Sequence, residues 1–250
     1  FGGRILEQNA QQTAKYMNTG ETEWFNKRTL LFGMNVALKE IKKRHQAVIV
    51  EGYMDAISLH ACGIDWAVAS MGTAFAQEQA KLLARAADEV VFSYDSDAAG
   101  QRATVRAVSI AKEAGLKVRV LVVPDGKDPD EFVRKHGKDA YLQLIATAVS
   151  GIEFQMQYVI SQNNVSNLAG KVEAVSNILP FLLECKNEIE VAQHIKTLAQ
   201  RLTIDEGLIM SEYRKLSRKN ERKDSASAWQ RPTSVLSAED QAEQLLLYVI

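Results

Sequence analysis

Four short apolar runs, each set off by helical spacing, leave this chain little choice of architecture between residues 47 and 123. AVIVE (47–51), WAVAS (66–70), EVVFSY (89–94) and KVRVLVV (117–123) read as strands, while 53–62, 76–87 and 98–114 read as helices. Short apolar runs alternating with helical stretches predict a mostly parallel sheet with helices on both faces and right-handed crossovers. The pattern changes on either side. Residues 1–26 show little periodicity and read as loop with short strands. Residues 27–44 read as a helix, with Leu30, Leu31, Met34, Leu38 and Ile41 at helical spacing. From about 130 to 219 only helical periodicity is found, which predicts an all-α subdomain after the α/β unit. SRKNERKDSASAWQRPTSV (217–235) is charged, Ser-rich and poor in aliphatics, and reads as a linker. A new helix is expected from Ser237 or Ala238, and LLLYVI ends the chain inside an apolar run, as in a piece cut from a longer protein. The expected divisions are 1–45, 46–135 (α/β), 136–219 (helical), 220–235 (linker) and 236–250 (the start of a further domain).

Acidic residues sit at the ends of these strands. Glu51 closes the first, Asp95 and Asp97 follow the third, and Asp128 and Asp130 follow the fourth. Asp55 lies about one helical turn past Glu51. Ligands of an open parallel sheet bind beyond the carboxyl ends of its strands, so all six carboxylates are expected on one edge. Crowded there they repel, and some must hold protons unless a cation intervenes. Mg²⁺ or Mn²⁺, hard ions that take oxygen ligands, would relieve the repulsion and suit phosphate chemistry. Several of these residues have a purely structural reading. Asp97 suits the N-cap of helix 98–114, a D-x-D pair is common in turns, and Asp128 and Asp130 could start a helix around Pro129. Glu51 resists such a reading, because glutamate is a poor N-cap and here adjoins a buried strand. Together on one edge the six favour a metal. Gly52 and Gly100 remove side chains where a backbone or phosphate comes close.

A net charge of −1 does not exclude nucleic acid, since acidic ligands would cancel a basic face in the sum. Arg4, Lys15, Lys27, Arg28, Lys42, Lys43 and Arg44 all precede the acidic site. Lys42, Lys43 and Arg44 suit a helix C-terminus, where cations favour the helix dipole. Lys15 and Lys27, in an irregular segment with Tyr16, Asn18 and Phe25, point towards phosphate handling. Cys62 and Cys185 are isolated and the four histidines scattered, so neither a zinc site nor a disulfide framework is expected. No run is long and apolar enough to span a membrane, and the cytoplasm is the default compartment.

EGYMD (51–55) followed by DSDAAG (95–100) resembles the Toprim signature of primases, topoisomerases and some nucleases. KYMNTGETEWFNKRTLLFG (15–33), VIVEGYMDAISLHACGI (48–64), VASMGTAF (68–75) and PDGKDPDEFVRKHG (124–137) narrow it, and together resemble the bacterial replicative DNA primases over roughly residues 1–140. The resemblance implies a DNA-templated RNA polymerase core that makes short RNA primers, with 1–45 part of its N-terminal subdomain and 46–135 its Toprim domain. It implies metal roles for Glu51, Asp95 and Asp97 and supporting acidic roles for Asp55, Asp128 and Asp130. It implies nucleotide or template contacts for Arg4, Lys15, Asn18 and Lys27. The implied partners are single-stranded DNA, ribonucleoside triphosphates and, through the region after the linker, the replicative helicase, with a zinc-binding domain upstream. Two departures stand out. The family's Y-D-G-D-R-A-G reads YDSDAAG here, with Ser96 and Ala98, and its K-G-R reads Lys27, Arg28, Thr29. The rival readings are a Toprim nuclease or topoisomerase, and a non-catalytic scaffold for single-stranded DNA and helicase.

Overall fold

The computed structural model describes residues 2–4, 16–18, 20, 22, 25–71, 74–126, 128–185 and 187–229, the side chains of 2–4, 16–18 and 222–229 excepted. The chain divides into two compact units, Phe1–Lys186 and Asn187–Ile250.

In the first unit, β1 (Gly2–Arg4) and β2 (Tyr16–Asn18) form a two-stranded antiparallel pair. The helix expected over 27–44 begins later, as α1 (Met34–Arg44). Residues 27–29 form a turn instead, closed by Asn26, whose carbonyl accepts from the Thr29 and Leu30 amides. Phe32 then makes an antiparallel bridge to Ala69, and Gly33 turns the chain into α1 at φ 81°, a left-handed conformation that glycine takes without strain. Leu30 and Leu31 fit the helical period but serve this extended approach. Two of the three cations in the last turn of α1 have structural partners: Lys43 and Arg44 pair with Glu40, and the Arg44 guanidinium lies 3.8 Å from the centre of the Trp66 ring.

The alternation between 47 and 123 becomes β3 (Gln46–Val50), α2 (Tyr53–Ala61), β4 (Ala67–Ala69), α3 (Gln77–Ala84), β5 (Glu89–Phe92), α4 (Ala98–Glu113) and β6 (Lys117–Val120). The sheet order is β4-β3-β5-β6, all parallel. Ala47–Val50, Ala67–Ala69 and Val90–Phe92 are wholly shielded from solvent, which explains why these runs read as continuously apolar. Each buried Val, Ile or Phe side chain contributes roughly 1.5–3 kcal/mol. From β3 the chain crosses one way to β4, then back past β3 to β5 and on to β6. Right-handed crossovers therefore put α2 on one face and α3 and α4 on the other. The packing agrees: α2 lies against the later helix α5 (Pro129–Thr147), and α3 against α4.

Helix α5 spans 135/136 but breaks at Gly137, whose φ of 78° and ψ of −178° are not helical, and both halves bury side chains in the α/β core, Phe132 and Val133 before the break and Tyr141 and Ile145 after it. The strand period ends there, but the apolar face of the helix still needs the sheet. A fifth strand, β7 (Val149–Ser150), then pairs antiparallel with β6 inside the segment expected to be wholly helical. Two residues are too few to show a period. Arg119 on β6 secures this edge by donating to the carbonyls of Ala146 and Ala148. Helices α6 (Gly151–Gln162) and α7 (Leu168–Leu183) complete the unit, with α6 packed on α4.

The second unit contains α8 (Glu188–Leu202) and α9 (Glu206–Trp229). Val191, Ile195, Leu198 and Leu202 are buried along one face of α8, as their spacing predicts. Residues 217–229, expected as an irregular linker, continue α9 as helix. Their Lys, Arg, Glu and Ala cost little in a helix, so the scarcity of aliphatics removed a buried stripe without removing the helix. Residues 236–250 lie outside the described residues.

Candidate functional site

The strand register brings the first two carboxylates together. Ile49 of β3 is level with Phe92 of β5, and the Ser93 amide donates to the Ile49 carbonyl. Extending that register sets Glu51 beside Tyr94, with Asp95 one residue beyond. The exits then diverge, since β3 feeds α2 on one face and β5 feeds α4 on the other. Diverging exits of neighbouring strands open the crevice where α/β sheets bind ligands. The loop after β4 closes the other side: the Ser70 amide donates to the Val50 carbonyl and the Met71 amide to the Glu51 carbonyl. Met71 takes φ 63°, a left-handed conformation that costs a non-glycine residue about 1 kcal/mol or more.

Crowding shows in the acidities. Glu51 is half-buried, and its pKa is pushed up to about 7, first by desolvation and then by the charges of Asp95, Asp97 and Asp55. Asp55 is 7% exposed and is likewise pushed up to about 7, first by burial and then chiefly by the charge of Asp128. Two hydrogen bonds act the other way on Asp55, from the amides of Asp130 (3.3 Å) and Gly52 (3.2 Å). No ion pair reaches Glu51 or Asp55 among the described residues. These two carboxyl groups at the mouth of the sheet thus have no countercharge among the described residues.

The structure sorts the six acids. Asp97 is exposed and caps α4, its Oδ1 accepting from the Gly100 amide at 2.7 Å, while its second oxygen has no protein partner among the described residues. Asp128 caps α5 through the Glu131 amide at 2.8 Å. Asp130 is engaged elsewhere: its carboxylate accepts from the Ser58 hydroxyl and pairs with Arg134 at 2.7 Å, tying α5 to α2. Gly100 is needed for close approach, because a Cβ there would fall 2.3 Å from the Asp95 carbonyl oxygen. It seats the Asp95 loop on the first turn of α4. Ser96, where the family has glycine, takes no left-handed conformation, and its carbonyl accepts from Gln101.

An all-oxygen set of carboxylates under mutual repulsion is the chemistry that fits a hard divalent cation. Glu51, Asp95 and Asp97 stand at the same sheet edge, near enough for the charges of the two aspartates to act on Glu51. Among the described residues no three His, Cys, Asp or Glu side chains lie together closely enough to hold an ion as they stand.

The basic residues are placed unevenly. The bridge between Phe32 and Ala69 is antiparallel, so the residues before Phe32 run past the carboxyl end of β4, towards the acidic edge. This brings the turn carrying half-buried Lys27 and exposed Arg28 to the same end of the sheet as Glu51. Arg4 and Asn18 lie in β1 and β2, with side chains outside the description, and Lys15 lies outside the described residues. The sequence offered no sign of Gln79. It is fully buried at the third position of α3, and its Nε2 donates to the carbonyls of Lys27 (2.9 Å) and Leu30 (2.8 Å). A capping-box residue normally follows a Ser or Thr three positions back, and here Ala76 stands there.

Three family profiles match successive parts of the chain: the N-terminal domain of the DNA primase catalytic core over 1–38, Toprim-like over 48–133, and the DnaB-helicase binding domain of primase over 152–207. The chain is 40% identical to the DNA primase of Clostridium acetobutylicum across 99% of its own length, and it covers 41% of that protein. A solved DnaG catalytic core superposes with a TM-score of 0.67 at 32% identity, covering 83% of this chain and 67% of that one. A DnaG catalytic domain solved with single-stranded DNA gives 0.65 at 33% identity, covering 81% and 64%. The fold and its acidic edge define a Toprim-domain protein. More narrowly, the chain belongs to the family of bacterial DnaG-type DNA primases. It spans about two fifths of the length of the curated relatives it matches. The helicase-binding profile lies upstream of 236–250, where the sequence placed the start of that domain.

Proposed function

We propose that this chain carries the nucleotidyl-transfer centre of a DNA primase, which joins ribonucleoside triphosphates on a single-stranded DNA template into short RNA primers. The observation that carries the reading is Glu51, crowded by Asp95 and Asp97 in the crevice between β3 and β5 and matched by no basic side chain among the described residues. Glu51, Asp95 and Asp97 would hold Mg²⁺ or Mn²⁺. Bound there, the ion would supply positive charge for triphosphate oxygens and acidify the attacking hydroxyl.

The chain's own groups do the rest. Asp97 fixes the start of α4 with one oxygen and offers the other to the crevice. Asp55 holds the first turn of α2 and the start of α5 in place through its two amide bonds, and so supports Glu51. Asp128 adds negative charge near Asp55. Asp130 is a tie between helices, and any metal role for it would require release from Ser58 and Arg134. Lys27 presents a compact positive charge to phosphate oxygens at the same sheet end. Arg4, Lys15 and Asn18 are proposed for template or nucleotide contact on family resemblance alone. Acceleration then comes from positioning and charge stabilisation, with no protein nucleophile. The replicative helicase is the proposed protein partner, through 152–207, and the cytoplasm the proposed compartment. No helix among the described residues is long and apolar enough to cross a membrane.

Asp95→Asn tests the reading. The variant should fold and still bind template, but lose nucleotide incorporation by about a hundredfold or more with either ion. Primer synthesis at the wild-type rate would sink the assignment, and plasmid nicking without incorporation would point to the nuclease reading.

A further inference from the structure

We propose that Gln79 is a positioning residue for polynucleotide binding: its buried amide clamps the basic turn Lys27–Thr29 beside the acidic edge. This rests on the reading of Lys27 as a phosphate-binding cation. Gln79 is wholly shielded from solvent, and three of its bonds are in place. Its Oε1 accepts from the Ala76 amide at 3.0 Å, and its Nε2 donates at 2.9 Å to the Lys27 carbonyl and at 2.8 Å to the Leu30 carbonyl. The first bond alone would cap α3. The other two reach 52 and 49 residues back along the chain and bracket the turn at both ends.

The turn has its own local bonds. Asn26 Oδ1 accepts from the Arg28 amide at 2.9 Å, and the Asn26 carbonyl accepts from the Thr29 and Leu30 amides and the Thr29 hydroxyl. These give the turn its shape and say nothing of where it sits. Downstream, buried Leu31 and the Phe32 bridge anchor the chain to the sheet. Lys27, Arg28, Thr29 and Leu30 bury no side chain fully and so have no apolar anchor of their own. The amide of Gln79 supplies a polar anchor instead, and it fixes the height at which Lys27 and Arg28 stand over the crevice. A glutamate there keeps the acceptor and loses both donors, while a methionine keeps the volume and loses all three bonds.

The test is a double-mutant cycle in the full-length protein, read by binding of a fluorescein-labelled single-stranded oligodeoxynucleotide at fixed salt. Q79M is expected to weaken binding about tenfold, the scale of two lost hydrogen bonds. It should leave Mn²⁺ affinity unchanged, which a general loosening of the fold would not, and in a K27A background it should change binding by less than about twofold. N26A, on the exposed side of the same turn, loosens it without touching the core and should shift binding in the same direction. Wild-type binding by both Q79M and N26A overturns the proposal, as does full additivity of Q79M with K27A. If K27A weakens binding and Q79M does not, Gln79 alone is misassigned. If K27A binds like wild type, the Lys27 reading fails and this proposal falls with it.

Discussion

Glu51 and Asp55 carry their protons to about pH 7, well above the usual carboxylate range, because burial and neighbouring charge both disfavour ionisation. The unfolded chain releases those protons near pH 4, so between about 4 and 7 the folded state binds more protons than the unfolded one. In EDTA the stability present below that window is therefore expected to be lost as pH rises through about 7. Thermal melts at pH 5 and pH 8 would show the drop, and Glu51→Gln should reduce it. A bound cation must displace the same protons, so Mn²⁺ affinity should rise from pH 6 to pH 8, as calorimetry can measure. Gly100→Ala is expected to cost about 1–3 kcal/mol in a denaturant titration and to weaken Mn²⁺ binding, because the new Cβ meets the Asp95 carbonyl. The unusual setting of Glu51 was legible in the sequence, since a glutamate directly after a buried strand is a poor N-cap. The engagement of Asp130 was not, because Ser58 lies 72 residues away and only the packing of α2 on α5 brings the two together.

At the scale of elements, the junctions between strands and helices do two jobs with one side chain. Asp97 caps α4, as its structural reading expected, and its charge also acts on Glu51. The short elements escaped the sequence. Strand β7 has no period to read, and the turn at 27–29 sits inside a stretch whose leucines happen to fit a helix. Arg119 compensates for the brevity of β7 by holding the C-terminal carbonyls of α5 beside it. Arg119→Met should lower stability by about 1–3 kcal/mol, through carbonyls left without donors, and should leave cation binding intact. The long periodic helix α4 was bounded to within a residue and the buried face of α8 was read from its spacing, because such apolar faces repeat often enough to be counted.

At the scale of the molecule, contacts divide the chain at Lys186, whereas the helicase-binding profile runs from 152 to 207 across that division. A chain ending at Lys186 is therefore expected to keep Mn²⁺ binding and lose capture of the replicative helicase, measured by calorimetry and by pull-down with purified helicase. The sequence by itself determined the parallel sheet, the identity of its carboxylates and the family, because burial on both faces and the strand-to-helix rhythm are written in local composition. Only the tertiary structure decided which acids crowd Glu51, which are spent on capping and tying helices, and how the Lys27 turn is held. Those outcomes depend on strand order and crossover hand, and on contacts between residues far apart in the chain. No local pattern encodes them.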